Sequence, residues 1–217
     1  MTQKTPLRRG RTTAIAWAIF YALVLTPIYA RAESAAVDEL IEILQQTSRL
    51  QGTFEQRQYD ANDVLLAESS GHFKMLRPGY FSWEIEAPDS QLIVANPEYI
   101  WHHDKDLETV TRRPVTDSGV LSPLQILGGR EELLRSQFSV SKSANGIFTL
   151  VPNQSEPGFS RLALTLEGAV ITGMEIIDAL DQRVVIQFRE VGDSSALSEQ
   201  DFAFIPPDGV DLFYYDQ

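Results

Sequence analysis

Apolar and polar residues alternate at period two through most of the chain after Thr53, and the breaks in that rhythm mark its organisation. Residues 53–59 alternate up to an Asp60-Ala61-Asn62-Asp63 turn, and residues 64–76 return, with Gly71 expected at a bulge or bend. An Arg77-Pro78-Gly79 corner follows. Proline fixes its own φ and biases the residue before it toward extended backbone, so Arg77 is a cation aimed at a strand mouth. In residues 80–86 the alternation sets Phe81, Trp83 and Ile85 on one face and Tyr80, Ser82, Glu84 and Glu86 on the other. Two large aromatics on one face suit a packed core or an apolar cavity, and periodicity does not separate the two.

Residues 91–94, 99–103 and 107–113 continue as a meander with short links, Asp104-Lys105-Asp106 among them. Strands resume at 138–142, 147–151, 160–166, 169–178 and 183–191, joined through Ser143-Ala144-Asn145-Gly146, Glu167-Gly168 and Ala179-Leu180-Asp181. A last segment at 198–204 runs into Ile205-Pro206-Pro207-Asp208-Gly209.

Two stretches have helical spacing instead. Residues 36–48 carry Val37, Leu40, Ile41 and Leu44 on one stripe among Asp38, Glu39, Glu42, Gln45 and Gln46. Between 114 and 137 the alternation lapses. Ser122-Pro123 starts a short helix holding Leu124, Ile126 and Leu127 and ending at Gly128-Gly129, and residues 130–135 form another. The expected fold is mainly β (α+β), with about ten or eleven hairpin-linked strands. So many strands in one sheet curl toward a barrel or half-barrel, and an unclosed apolar face needs a cover. The two helical regions are the available lid.

The chain has 217 residues, no cysteine and a formal net charge of −12. Lys4, Arg8, Arg9 and Arg11 precede an uncharged apolar run over 14–28, and Ala30-Arg31-Ala32 supplies a small-x-small cleavage pattern. Residues 1–32 therefore read as a cleaved secretory signal peptide, with residues 33–217 as one domain. The apolar run of about fifteen residues is short of the roughly 20 that a spanning helix needs. Arg8-Arg9 is followed by Gly10-Arg11, which favours the general export route over a twin-arginine one. Without cysteine, the chain has no acylation site of the lipoprotein type, and a soluble mature protein is expected. Cleavage removes five basic residues and no acidic ones, so 13 basic face 30 acidic residues at a net charge of −17. Such a surface opposes nucleic acid and anionic bilayers.

Catalytic chemistry is sparse. There is no P-loop, dinucleotide glycine pattern, nucleophile elbow or zinc-ligand pair at helical spacing. His102 and His103 are adjacent in a strand and point to opposite faces, which is poor geometry for chelating one metal. Glu84 with Glu86, or Asp104 with Asp106, resemble glycosidase carboxylate pairs, but among thirty acids such pairs are more often solvated faces. No catalytic residue, metal or cofactor is expected.

One ordered set of motifs spans nearly the whole mature chain. It comprises the amphipathic helix, Gly52-Thr53-Phe54-Glu55-Gln56, Gly71 with Phe73, Arg77-Pro78 with Phe81 and Trp83, and Pro88 with Gln91-Leu92-Ile93-Val94. Trp101, then Leu107-Glu108 with Val110-Thr111, and the closing Phe202, Phe204, Pro206-Pro207 and Gly209-Val210 complete it. In this order they resemble the LolA family of periplasmic lipoprotein carriers. Ala95-Asn96-Pro97 departs from the more common Ser-Asp-Gly turn, and Phe213-Tyr214-Tyr215 is an unusual ending, either an extra apolar contact or a frayed tail.

The resemblance implies an incomplete antiparallel β-barrel closed by a helical lid. It also implies a monomeric periplasmic carrier of lipoprotein acyl chains, loaded by an inner-membrane ABC transporter and unloaded to an outer-membrane receptor. Arg77 is then expected to latch the lid. The cargo cavity is expected to be lined by Phe54, Phe73, Phe81, Trp83, Leu92, Val94, Trp101, Leu124 and Leu127. The alternative is a small-molecule or fatty-acid binder of lipocalin type.

Overall fold

Among the described residues, twelve strands form one continuous sheet that does not close on itself, in the order β12-β6-β5-β4-β3-β2-β1-β11-β10-β9-β8-β7. The structure is a computed structural model and describes residues 26–115, 126–128, 131–154 and 158–215, with side chains from residue 35 onward. The strands are β1 (Arg49–Tyr59), β2 (Leu65–Leu76), β3 (Tyr80–Ala87), β4 (Gln91–Ala95), β5 (Tyr99–Asp104), β6 (Thr109–Pro114), β7 (Phe138–Lys142), β8 (Phe148–Pro152), β9 (Arg161–Glu167), β10 (Val170–Ile177), β11 (Arg183–Asp193) and β12 (Asp211–Tyr214). Helix α1 spans Thr26–Gln46 and α2 spans Glu131–Gln137, with a 3-10 turn at Glu199–Phe202.

The incomplete barrel with helical cover is therefore present, with two differences from the expected count and topology. Strand β12 is an additional strand, and it pairs with β6 in parallel, whereas every other neighbour pair is antiparallel. Four exposed residues at the chain's end carry no alternation from which a strand could be read. Helix α1 also begins earlier than its apolar stripe and runs through the expected processing site at residues 30–32.

The inner face of the sheet carries the core. Residues paired directly across strands share a face, so the ladder Phe54↔Gly71, Phe73↔Trp83 and Met75↔Phe81 assigns the aromatics of β1, β2 and β3 to one side. Continuing the other way, Phe54↔Phe188, Met174↔Ile186 and Leu164↔Met174 extend that side to β9. All of these apolar residues belong to one cluster with Leu40, Ile41 and Leu44 of α1, Leu134 of α2, and Ile126 and Leu127 of the central insert. The apolar stripe of α1 is thus spent on the inner face.

Gly71 stands where the β2–β3 register shifts between residues 70 and 71. A Cβ there would lie 1.8 Å from the Glu84 carbonyl oxygen, so only glycine lets the two backbones approach. The expected bulge is present and sits directly opposite Phe54.

Candidate functional site

The inner face is built around Trp83. Its ring stacks on Phe54 with centroids 3.6 Å apart and planes 19° from parallel, lies 5.8 Å from Phe81, and meets the edge of Phe188 at 6.2 Å. Phe73 packs against Phe188 at 5.2 Å. These rings are almost wholly buried, and the residues that bury them from the other side belong to the helical cover.

Among the described residues, sheet and cover leave little open space between them. A cavity of only about 10 Å³ lies there, with Leu50, Phe73, Met75, Leu127, Ile171 and Phe188 among the residues that bound it. Sites for drug-sized ligands usually enclose about 300–1,000 Å³. The protein's own side chains fill most of the place that an apolar ligand would take.

Arg77 joins the cover to the sheet. Its Nε donates to the Leu127 carbonyl oxygen at 2.7 Å, and its Nη1 donates to the carbonyl oxygen of Thr47 and to Thr47 Oγ1, the latter at 3.0 Å. The backbone of the same corner adds Arg77 N–H to Ser48 O at 2.8 Å and Gly79 N–H to Gly128 O at 3.2 Å. One corner therefore grips the chain just after α1 and the end of the central insert. Arg77 opens the turn that joins β2 to β3, and this places the guanidinium at the junction.

The electrostatics of that junction are unusual. Arg77 is buried, yet only neutral oxygens receive its donors, and Nη2 has no acceptor among the described residues. Burial lowers its pKa to about 10, which leaves it cationic at neutral pH. A carboxylate partner would bind the guanidinium far more tightly than carbonyl oxygens do.

The structure divides the nine expected lining residues. Phe54, Phe73, Phe81, Trp83 and Leu127 share the inner cluster. Leu92, Val94 and Trp101 lie on the opposite face, which corrects their expected placement. Phe81 pairs with Ala95 and Trp83 with Ile93, so Ile93 and Ala95 face inward and their neighbours face outward. Val94 pairs with Trp101, and Trp101 meets Phe204 at 5.3 Å while Tyr80 meets Phe202 at 5.7 Å. The C-terminal segment thus covers a second, smaller apolar patch on the outer face. Leu124, with the helix start at Ser122-Pro123, lies outside the described residues.

Several inner residues were not among the expected lining. Leu50, Met75, Ile171 and Phe188 border the cavity. Parity with Phe73 and Phe54 through the ladder finds Leu50, Met75 and Phe188, whereas Ile171 faces inward only because the β9–β10 register shifts between Ile171 and Gly173. The polar candidates separate. Glu84 pairs with Lys105 at 2.6 Å and Glu86 with His72 at 3.1 Å, on partly exposed side chains. His103 is buried against Phe204 on the outer face, and His102, on the inner face, bonds Gln91 Oε1 at 3.2 Å. Burial holds His102 below the ordinary imidazole range.

An unclosed barrel whose aromatic inner face is covered by helices, with a buried arginine pinning the cover, defines a half-barrel carrier fold. The sequence matches the family described as outer membrane lipoprotein carrier protein LolA over residues 45–205. The outer-membrane lipoprotein carrier protein of Azotobacter vinelandii is 32% identical over 194 residues, covering 88% of this chain and 93% of the relative. That of Pseudomonas aeruginosa is 32% identical over 183 residues, covering 83% and 88%. Among solved structures, a LolA superfamily protein from Nitrosomonas europaea aligns at a TM-score of 0.51 and 10% identity, covering 80% of this chain and 98% of that one. That likeness supports the fold. The chain belongs to the LolA family.

Proposed function

We propose that this protein is a soluble periplasmic chaperone that holds the acyl chains of lipoproteins against the inner face of its half-barrel and carries them between membranes. The observation that carries this reading is the arrangement at Arg77: a cover that fills the apolar face is fastened to it through neutral carbonyl and hydroxyl oxygens. The relatives named as outer-membrane lipoprotein carrier proteins supply the cargo class.

The physical logic is a competition. Transferring an acyl chain out of water is worth about 0.8 kcal/mol per methylene, so a multiply acylated protein does not cross an aqueous space unaided. A permanently open apolar groove would hold such a cargo too tightly to release it. A lid that occupies the same surface lowers the net affinity by the free energy of closing. Arg77 sets that closing energy, and the cargo space appears when Leu127 and the α1 stripe withdraw.

On this reading residues 1–32 direct export and are removed, an inner-membrane ABC transporter loads the carrier, and an outer-membrane receptor unloads it. No helix among the described residues is long and apolar enough to cross a membrane. We assign the protein no catalytic role.

The experiment is to incubate the purified mature protein with energised inner-membrane vesicles bearing a triacylated lipoprotein. A soluble stoichiometric complex is the expected result. Binding of free fatty acid without extraction of the lipoprotein would move the function to a small-molecule binder.

A further inference from the structure

The two edges of the sheet differ. Strand β7 has α1 packed along it, whereas among the described residues no strand pairs with the outer side of β12. Leu212, Phe213, Tyr214 and Tyr215 are all exposed there. Soluble proteins usually blunt a bare edge with lysine, proline or a bulge, and none stands between Asp211 and Tyr215.

This edge is nevertheless held in order. The Arg112 guanidinium lies 4.6 Å from the centre of the Tyr214 ring, and that of Arg113 lies 4.9 Å from the Tyr215 ring. The N–H groups of Asp211 and Tyr215 donate to the carbonyl oxygens of Glu108 and Arg112 at 2.8 and 3.0 Å. Inward and outward groups alternate along a strand at the edge of a parallel pair, so the N–H and C=O of Leu212 and Tyr214 point away from β6.

We propose that the β12 edge receives, as an added strand, the extended polypeptide that follows the acylated residue of the cargo. This rests on the carrier reading above. In an open barrel the two sheet edges flank the gap, and β12 is the one that is bare with α1 in its closed position as well as after it withdraws. A chain leaving the inner face through that gap passes β12. Pairing through backbone groups does not read side chains, so one edge serves cargoes of unrelated sequence. A second copy of this chain is the poorer occupant, because two mature bodies, each with 13 basic against 30 acidic residues and a formal net charge of −17, repel.

The test uses two synthetic lipopeptides with the same triacylated first residue, one followed by an ordinary peptide segment and the other by the same segment N-methylated throughout. With the mature protein, the ordinary lipopeptide should bind about tenfold more tightly, a ratio that one or two net backbone hydrogen bonds supply. Amide hydrogen exchange at Leu212 and Tyr214, followed by NMR, should slow only in its complex. Leu212→Pro removes one outward N–H and leaves the inward pairs and the outward carbonyls in place, so this variant should bind the ordinary lipopeptide more weakly than the wild-type chain does and narrow the ratio between the two. Equal affinities in the wild-type chain, with both amides exchanging as in the free protein, would overturn the proposal. So would slowed exchange at these amides without lipopeptide, accompanied by a dimer in sedimentation. If neither lipopeptide binds, the carrier reading itself fails, and that result is distinct from equal binding.

Discussion

Arg77 Nε lies 2.7 Å from the carbonyl oxygen of Leu127, fifty residues along the chain, and this bond ties the sheet to its cover. A bond to a carbonyl that must later be broken suits a closure of limited strength. Arg77→Leu removes the donors and also the cost of burying a cation, so the fold should survive while closure weakens. Loading should be retained, and transfer to a receptor should slow by at least about tenfold, since hydrogen bonds from a charged donor contribute about 1.5–3 kcal/mol each. Transfer kinetics from preloaded carrier check this, and wild-type rates in the variant would end the latch idea.

The same residue predicts where pH has no effect. Burial depresses the folded-state pKa of Arg77 to about 10, below its unfolded value, so the buried charge opposes folding at every pH below that. As pH rises through about 10 the unfolded chain binds more protons than the folded one, and this contribution moves toward greater stability. Below that window it is constant. The stability difference between wild type and Arg77→Leu, from urea unfolding, should therefore be flat between about pH 6 and 9. A slope there would assign the titration to another group.

Phe54 is almost wholly buried, and its stacking on Trp83 sits opposite the Gly71 bulge. Phe54→Ala should cost about 3–5 kcal/mol, as large-to-small changes at well-packed aromatic sites do. Gly71→Ala should be at least as damaging, because its Cβ meets backbone 1.8 Å away and backbone cannot rotate aside. Chemical denaturation measures both. A loss under about 1 kcal/mol at Gly71 would mean that the β2–β3 register can slip to relieve the clash.

Much of this architecture is legible from local alternation. Phe81 and Trp83 share a strand, so their common face needs no knowledge of neighbours, and Gly71 stands out as a glycine inside an alternating run. The placement of Leu92 and Val94 depends instead on how β3 and β4 pair across the turn at residues 88–90. One residue of register exchanges the faces. Val94 is buried, as an apolar strand residue should be, but its partner Trp101 meets Phe204 of the C-terminal segment. That segment is remote in sequence and irregular, and periodicity carries no signal for where it packs. The Arg77 junction is intermediate. Proline marks the corner, whereas the acceptors at Thr47 and Leu127 are backbone oxygens that no side-chain pattern announces.

The outer-face placement of Trp101 has a consequence that separates stability from cargo handling. Trp101 contacts Phe204 and Tyr214 on the side away from the aromatic inner cluster. Trp101→Ala should lower Tm through lost packing and leave the affinity for an apolar dye within about twofold of wild type. Phe81→Ala opens space on the inner face beside Trp83 and should change both Tm and dye binding. The two variants measured side by side by thermal melting and dye titration give a double comparison in which general destabilisation cancels. If Trp101→Ala weakens the dye as much as Phe81→Ala does while both remain folded, the outer patch takes part in binding. The division of the sheet into a cargo face and a structural face would then be wrong.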